Sequence, residues 1–225
     1  MNYLIVSALA PIVAVILYIY LKDRYEKEPL QLLFFSFVLG AIVSVIITML
    51  ISAVYQRVIP LHYNNNIFQE FIRAFLVVGL TEEFSKYVII RYFAQPKKAF
   101  NEPFDGIVYA VMVSMGFAAT ENLMYVLGGG YQVALVRAFT AVPAHATFGI
   151  LMGYFMGKAK FSRNWQMLNL CGLFLAVLFH GAYDFFLFIN FIPGTWAGAF
   201  LSLAIGLFLS RKVIKRHQDN SQFKV

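Results

Sequence analysis

The sequence predicts an all-α membrane protein, a polytopic bundle of about seven transmembrane helices with the N-terminus outside and the C-terminus cytoplasmic. Three observations predict it. Of 225 residues, 60% are apolar or aromatic and only 13% are charged, and the mean hydropathy is +0.71, a balance that a solvated surface does not sustain. Apolar runs long enough to cross about 30 Å of hydrocarbon at ~1.5 Å per residue recur down the chain. Lysine and arginine collect between alternate runs, as cytoplasmic connections do. No polar stretch is long enough for a soluble domain, so residues 1–225 read as one membrane-embedded domain.

In order, the expected spans are Tyr3–Leu21, Gln31–Val54, Glu70–Phe93, Phe104–Leu127, Val133–Met156, Met167–Ile189 and Thr195–Ser210. The first reads as a retained anchor: no basic residue precedes it, its apolar run is long for a secretory signal, and Lys22, Arg24 and Lys27 follow it. The last is the shortest and enters at Pro193. The connection over 55–69, with Asn64, Asn65 and Asn66, reads as a polar outer loop. Three Lys or Arg fall in or beside each of the connections 22–29, 94–103 and 157–166, and five follow residue 210, so that fourteen of the 18 lie on one side. The alternate connections hold only Arg57, and Arg73, Lys86 and Arg137 fall inside spans. The net charge of +7 is therefore a topology signal. It is not a nucleic-acid surface, because the basic residues flank apolar runs. Cys171 is the single cysteine, which excludes an intramolecular disulfide.

Ionisable side chains in hydrocarbon cost at least about 2.5–3.5 kcal/mol at a helix centre, so each needs a reason to be there. The third span carries Glu82, Glu83 and Lys86, the fourth Glu121 beside Asn122, the fifth His145, and the sixth His180 and Asp184. Helical spacing pairs them: Lys86 stands three and four residues from the two glutamates, Asp184 four from His180, and Glu121 four from Phe117. Under the assigned topology Glu82, Glu83 and His145 lie near mid-membrane, and Glu121, His180 and Asp184 nearer the outer face. A cavity opening outward would reach them all. Arg73 and Arg137, near outer helix ends, read as snorkelling anchors, and Asp105 as a helix cap.

No Gly-x-Ser-x-Gly elbow and no His-Glu-x-x-His pair is present. Paired carboxylates with histidines suit the activation of water: one glutamate takes its proton while histidine stabilises an oxyanion or helps hold a Lewis-acidic metal. Zinc would suit two histidines and several acids, but spacing does not choose between metal-dependent and metal-free hydrolysis. The alternative from another class is a small proton- or ion-coupled transporter, since intramembrane carboxylates also build relays. A scaffold has no need of so many buried charges.

Through Glu82-Glu83-Phe84-Ser85-Lys86, Phe117 to Glu121, His145 with Gly149, and His180-Gly-Ala-Tyr-Asp184, the chain resembles the PrsW proteases of bacterial membranes, and the wider group that includes the CAAX prenyl endopeptidases. Phe104-Asp105-Gly106 and the stretch from Leu21-Lys22-Asp23 to Glu28-Pro29 fit as well, so the resemblance extends over nearly the whole chain. It implies that Glu82, Glu83 and His180 are functionally required, with Glu121, His145 and Asp184 as further motif positions and Lys86, Phe117 and Asn122 in support. The wider group commonly has histidine where Glu121 stands and asparagine where Asp184 stands, which leaves the metal question open. The resemblance further implies a bacterial cell-membrane location and a substrate that is a single-pass anti-sigma factor. That substrate would be cut on its extracytoplasmic side to begin regulated intramembrane proteolysis in a stress response.

Overall fold

The computed structural model describes residues 2–58 and 66–224, and among these the regular structure is entirely helical. Helix α1 spans Asn2–Lys22 and α2 spans Leu30–Val58. Helix α3 covers 67–94. Asn66 caps it, its side chain accepting from the backbone N–H of Phe68 at 2.9 Å and of Gln69 at 3.3 Å. Then follow α4 (Pro103–Phe139), α5 (Ala141–Lys160), α6 (Trp165–Phe188) and α7 (Trp196–Asp219). Residues 59–65, most of the expected outer loop, lie outside the described residues.

Five stretches are long and apolar enough to cross a membrane: Tyr3–Lys22, Leu30–Val58, Pro103–Lys160, Trp165–Phe188 and Trp196–Asp219. The third comprises both α4 and α5. Helix α3 has the length, but it carries Glu70, Arg73, Glu82, Glu83, Lys86 and Arg91. Lipid-facing positions keep large apolar side chains such as Phe34, Leu50, Phe174 and Phe208 exposed, which suits a hydrocarbon solvent. The protein is thus a multi-pass membrane protein built from helices.

Helix α4 is the centre of the bundle, with every residue from Phe104 to Ala119 buried. It packs along α5 through small residues that let the backbones touch: a Cβ on Gly106 would lie 2.4 Å from the Gly153 carbonyl oxygen.

Two boundaries differ from expectation. The expected fifth span began at Val133, but the chain bends at Gly130, where φ is +76°, a conformation open to glycine at little steric cost. Residues 131–139 then fold back beside α4, burying Ala134 against Val126 and Ala8. A second break at Thr140 starts α5 at Ala141. The last helix, expected to end at Ser210, continues to Asp219, so most of the basic tail is helical.

At the other end of α4, the connection over 23–29 and the C-terminal residues fold against Asn101–Tyr109. Asp105 accepts from the backbone N–H of Asn101 at 2.7 Å and of Glu102 at 2.8 Å, which makes it the cap its position suggested. Glu28 is hydrogen-bonded to Tyr109, and Ser221 to Glu102. Burial pushes the Asp23 carboxyl up to about 6, and burial with the neighbouring Asp105 carboxylate pushes Glu28 up to about 10. Glu28 therefore holds a proton at neutral pH, and this crowded acidic corner carries less charge than its composition implies.

Candidate active site

Helices α3 to α6 deliver the intramembrane polar residues to one place. Two wide turns of π-helix in α3, Arg73–Leu80 and Ile90–Ala94, bracket the segment Thr81–Ile89. Within it Glu82, Glu83 and Lys86 are all buried. Lys86 Nζ stands 2.7 Å from Glu83 Oε1 and 3.6 Å from Glu82 Oε2, and lies 4.3 Å from the centre of the Phe117 ring. It can neutralise one carboxylate fully while the other faces elsewhere.

The glutamates then diverge in role. Glu83 is wholly buried and its Oε1 also accepts from His180 Nδ1 at 2.8 Å. A carboxylate acceptor there fixes the proton on Nδ1 and turns Nε2 towards Asp184, at 3.3 Å, and Glu82, at 3.9 Å. Phe148 stacks on the His180 ring at 4.8 Å between centroids and holds its plane. Glu82, unlike Glu83, lines a cavity of about 410 Å³. The second histidine belongs to a separate chain of contacts. His145 Nε2 donates to Glu121 Oε2 at 2.9 Å, and its Nδ1 faces Lys86 Nζ at 3.3 Å. The two imidazoles meet edge-to-face at 5.5 Å.

Every residue singled out from the sequence therefore lies in or against one cluster. Asn122 takes a supporting place, donating to the Ala8 carbonyl at 2.7 Å. Arg137 is the residue that sequence reasoning misplaced. It is not a snorkelling anchor: the fold-back after Gly130 turns it inward. Its Nη2 donates to Glu121 at 2.7 Å and its Nε to Asn122 at 2.6 Å. The signal available was the Gly128-Gly129-Gly130 run, whose freedom permits a reversal. Arg73 lines the cavity, pairs with Glu70 at 3.3 Å and lies over the Phe188 ring.

Arg137 reaches His145 only through Glu121. Arg137→Gln is expected to lower peptide cleavage about 10–100-fold, the usual scale for a group that orients another, and Arg137→Lys to restore part of it. Cleavage by the purified variants in detergent checks this.

The sequence of residues 28–210 matches the family model described as PrsW family intramembrane metalloprotease. Among curated proteins, the chain is 38% identical over 211 residues to Protease PrsW of Geobacillus kaustophilus, covering 93% of this chain and 90% of that one. It is 40% identical over 188 residues to Protease PrsW of Bacillus subtilis, covering 82% and 83%, and 35% identical over 195 residues to that of Clostridioides difficile, covering 84% and 80%. The chain belongs to the PrsW family. It is accordingly a membrane protease, and the transporter reading falls away. No solved structure matches it.

The metalloprotease description raises the question of whether these residues suit a metal ion. Glu82, Glu83, His145 and His180 each offer a ligand atom within 4.8 Å of all the others. Glu82 Oε2 and Glu83 Oε2 are buried without a hydrogen-bond partner, and carboxylates with imidazoles are donors that zinc accepts. The PrsW-type cluster therefore fits a divalent ion. Because His145 already faces Lys86 and Glu121, Glu82, Glu83 and His180 are the three residues most ready to hold it.

Proposed function

We propose that this protein hydrolyses a peptide bond in a single-pass membrane protein, at the extracytoplasmic side of the bacterial cell membrane, by water activated between Glu82 and His180. The observation that carries the reading is the opening of the buried cluster. Glu82, His180, Asp184, Glu121 and His145 line a cavity whose rim includes Arg73, Val136, Thr140 and Phe188. These rim residues sit at the helix ends away from the basic connections, which the positive-inside rule assigns to the cytoplasm. Seven spans with an outer N-terminus and a cytoplasmic C-terminus then turn the cavity outward. The whole chain acts as one protease domain.

In this reading Glu82 takes the proton of the attacking water and later passes it to the leaving amine. His180, held through Nδ1 by Glu83, presents Nε2 to the developing oxyanion. Glu83 and Lys86 act as positioning groups, Glu121 and Arg137 steady His145, and Asp184 orients His180. A divalent ion bound by Glu82, Glu83 and His180 would supply Lewis-acid polarisation of the scissile carbonyl.

An extended peptide exposes backbone that hydrocarbon cannot satisfy, so the scissile segment enters near the interface with water. Among substrates of that form, an anti-sigma factor cut at its first site, to release a stress-response sigma factor, fits the PrsW family best. Reconstituted protein should cleave a single-pass substrate outside its membrane span, and cleavage should fade as an inserted rigid helix carries the segment away. A product whose mass places the cut on the cytoplasmic side would reject the orientation. Labelling in intact cells of a cysteine placed at Lys97 or Lys160 would reject it independently.

A further inference from the structure

A second cavity, of about 200 Å³, opens at the far end of the helices from the catalytic one, where α3 ends, α5 ends and α6 begins. Arg91, Gln95, Lys160, Ser162, Trp165 and Asn169 line it together with Ala159, and none of the seven is acidic.

Its polar groups are wired so that donors remain. Arg91 Nη1 donates to Gln95 Oε1 at 3.0 Å. Gln95 Nε2 donates both to the Met156 carbonyl at 2.7 Å and to Asn169 Oδ1 at 3.1 Å. That second bond fixes the orientation of the Asn169 amide and leaves its Nδ2 as the unpaired end. Asn169 is 1% exposed, and this Nδ2 has no hydrogen-bond partner, a desolvated donor that costs about 1–3 kcal/mol if nothing accepts from it. Lys160 Nζ is held by the Lys97 carbonyl at 2.6 Å, which keeps an ammonium at the cavity. Arg91 lies over the Trp165 ring at 4.8 Å, which keeps the guanidinium in place.

Two fixed cations, an unpaired buried amide donor and an indole lie around one concavity, and the missing partner is an acceptor with negative charge. We propose that this cavity is an anion site for a phosphate group, carried by an anionic phospholipid headgroup or by free phosphate. Basic pockets between helices at the cytoplasmic interface take headgroups in this way, and Arg is suited to a planar fork on phosphate oxygens. The site lies outside the catalytic cluster and does not depend on the mechanism proposed for it.

The chain has two tryptophans, so in a Trp196→Phe background the emission of Trp165 reports on this cavity alone. The full-length protein in an uncharged detergent is titrated with short-chain phosphatidylglycerol and, separately, with inorganic phosphate. A saturable change with phosphatidylglycerol only assigns a headgroup, and a change with both assigns the phosphate group irrespective of its carrier. The Arg91→Gln/Lys160→Gln variant should bind at least about ten-fold more weakly. Asn169→Asp keeps the acceptor for Gln95 but replaces the free donor with a carboxylate oxygen, and it should also abolish the response while thermal unfolding stays near that of the parent. No saturable change with either probe, or the same affinity in the double variant, would overturn the proposal.

Discussion

Glu82→Gln is expected to yield a folded membrane protein whose peptide cleavage is lost by about 10²–10⁴-fold, the range a general base contributes. Glu82 lines the catalytic cavity and Glu83 does not, so Glu82 is the carboxylate that a substrate's water can reach. Its Oε2 has no hydrogen-bond partner and is available to a proton. Glutamine keeps the volume, so the packing survives, but an amide cannot take the proton. Glu83→Gln should lose activity by a different route, because it weakens the bond that fixes the proton on His180 Nδ1. His180→Ala should match Glu82→Gln. Single-turnover cleavage measured beside thermal unfolding separates chemistry from folding. Near-normal cleavage by Glu82→Gln would move the base to Glu121 or Asp184.

Lys86→Met should be the most destabilising single change in the bundle, at about 3–5 kcal/mol, the usual result of removing one partner from a buried ion pair. The ammonium is wholly buried between Glu83, Glu82 and His145 and under the Phe117 ring. Methionine fills much of the same space, so the cost is electrostatic: a carboxylate without a counter-ion. The double variant Lys86→Met/Glu83→Gln should therefore recover most of the stability while remaining inactive. Thermal unfolding in detergent reads both. A single variant as stable as the parent would show that the glutamates do not need the lysine to remain buried.

The cluster was legible in the sequence because charge in an apolar run is an anomaly that only function or pairing explains. Glu82, Glu83, Lys86, His180 and Asp184 also stand at helical spacings that place them on shared faces. Arg137 was not legible. Its position near an expected helix end has an ordinary explanation, and only the reversal at Gly130 makes that explanation wrong. The helix order was equally readable from hydropathy. The break at Thr140 was not, because the residues around it are as apolar as the spans they separate. The contact of Glu28 with Tyr109 left no sequence signal either, since acids in a connecting segment are the rule.

The wide turns on either side of Thr81–Ile89 make α3 a helix whose phase matters. A π turn holds one more residue than an α turn of the same sweep, so losing a single residue within Arg73–Leu80 could be absorbed by returning to the tighter winding. The hydrogen bonding would remain complete. Everything on one side of the deletion would, however, turn by about 100° relative to the other, and if the start of α3 stayed anchored, Glu82, Glu83 and Lys86 would swing away from His180 and towards the lipid. The spare residue works as a phase adjuster: it lets one rod present an apolar face to the membrane near its start and a charged face to the interior a few turns later. Natural length variation in this family should for that reason avoid residues 73–94 and gather in the connecting loops.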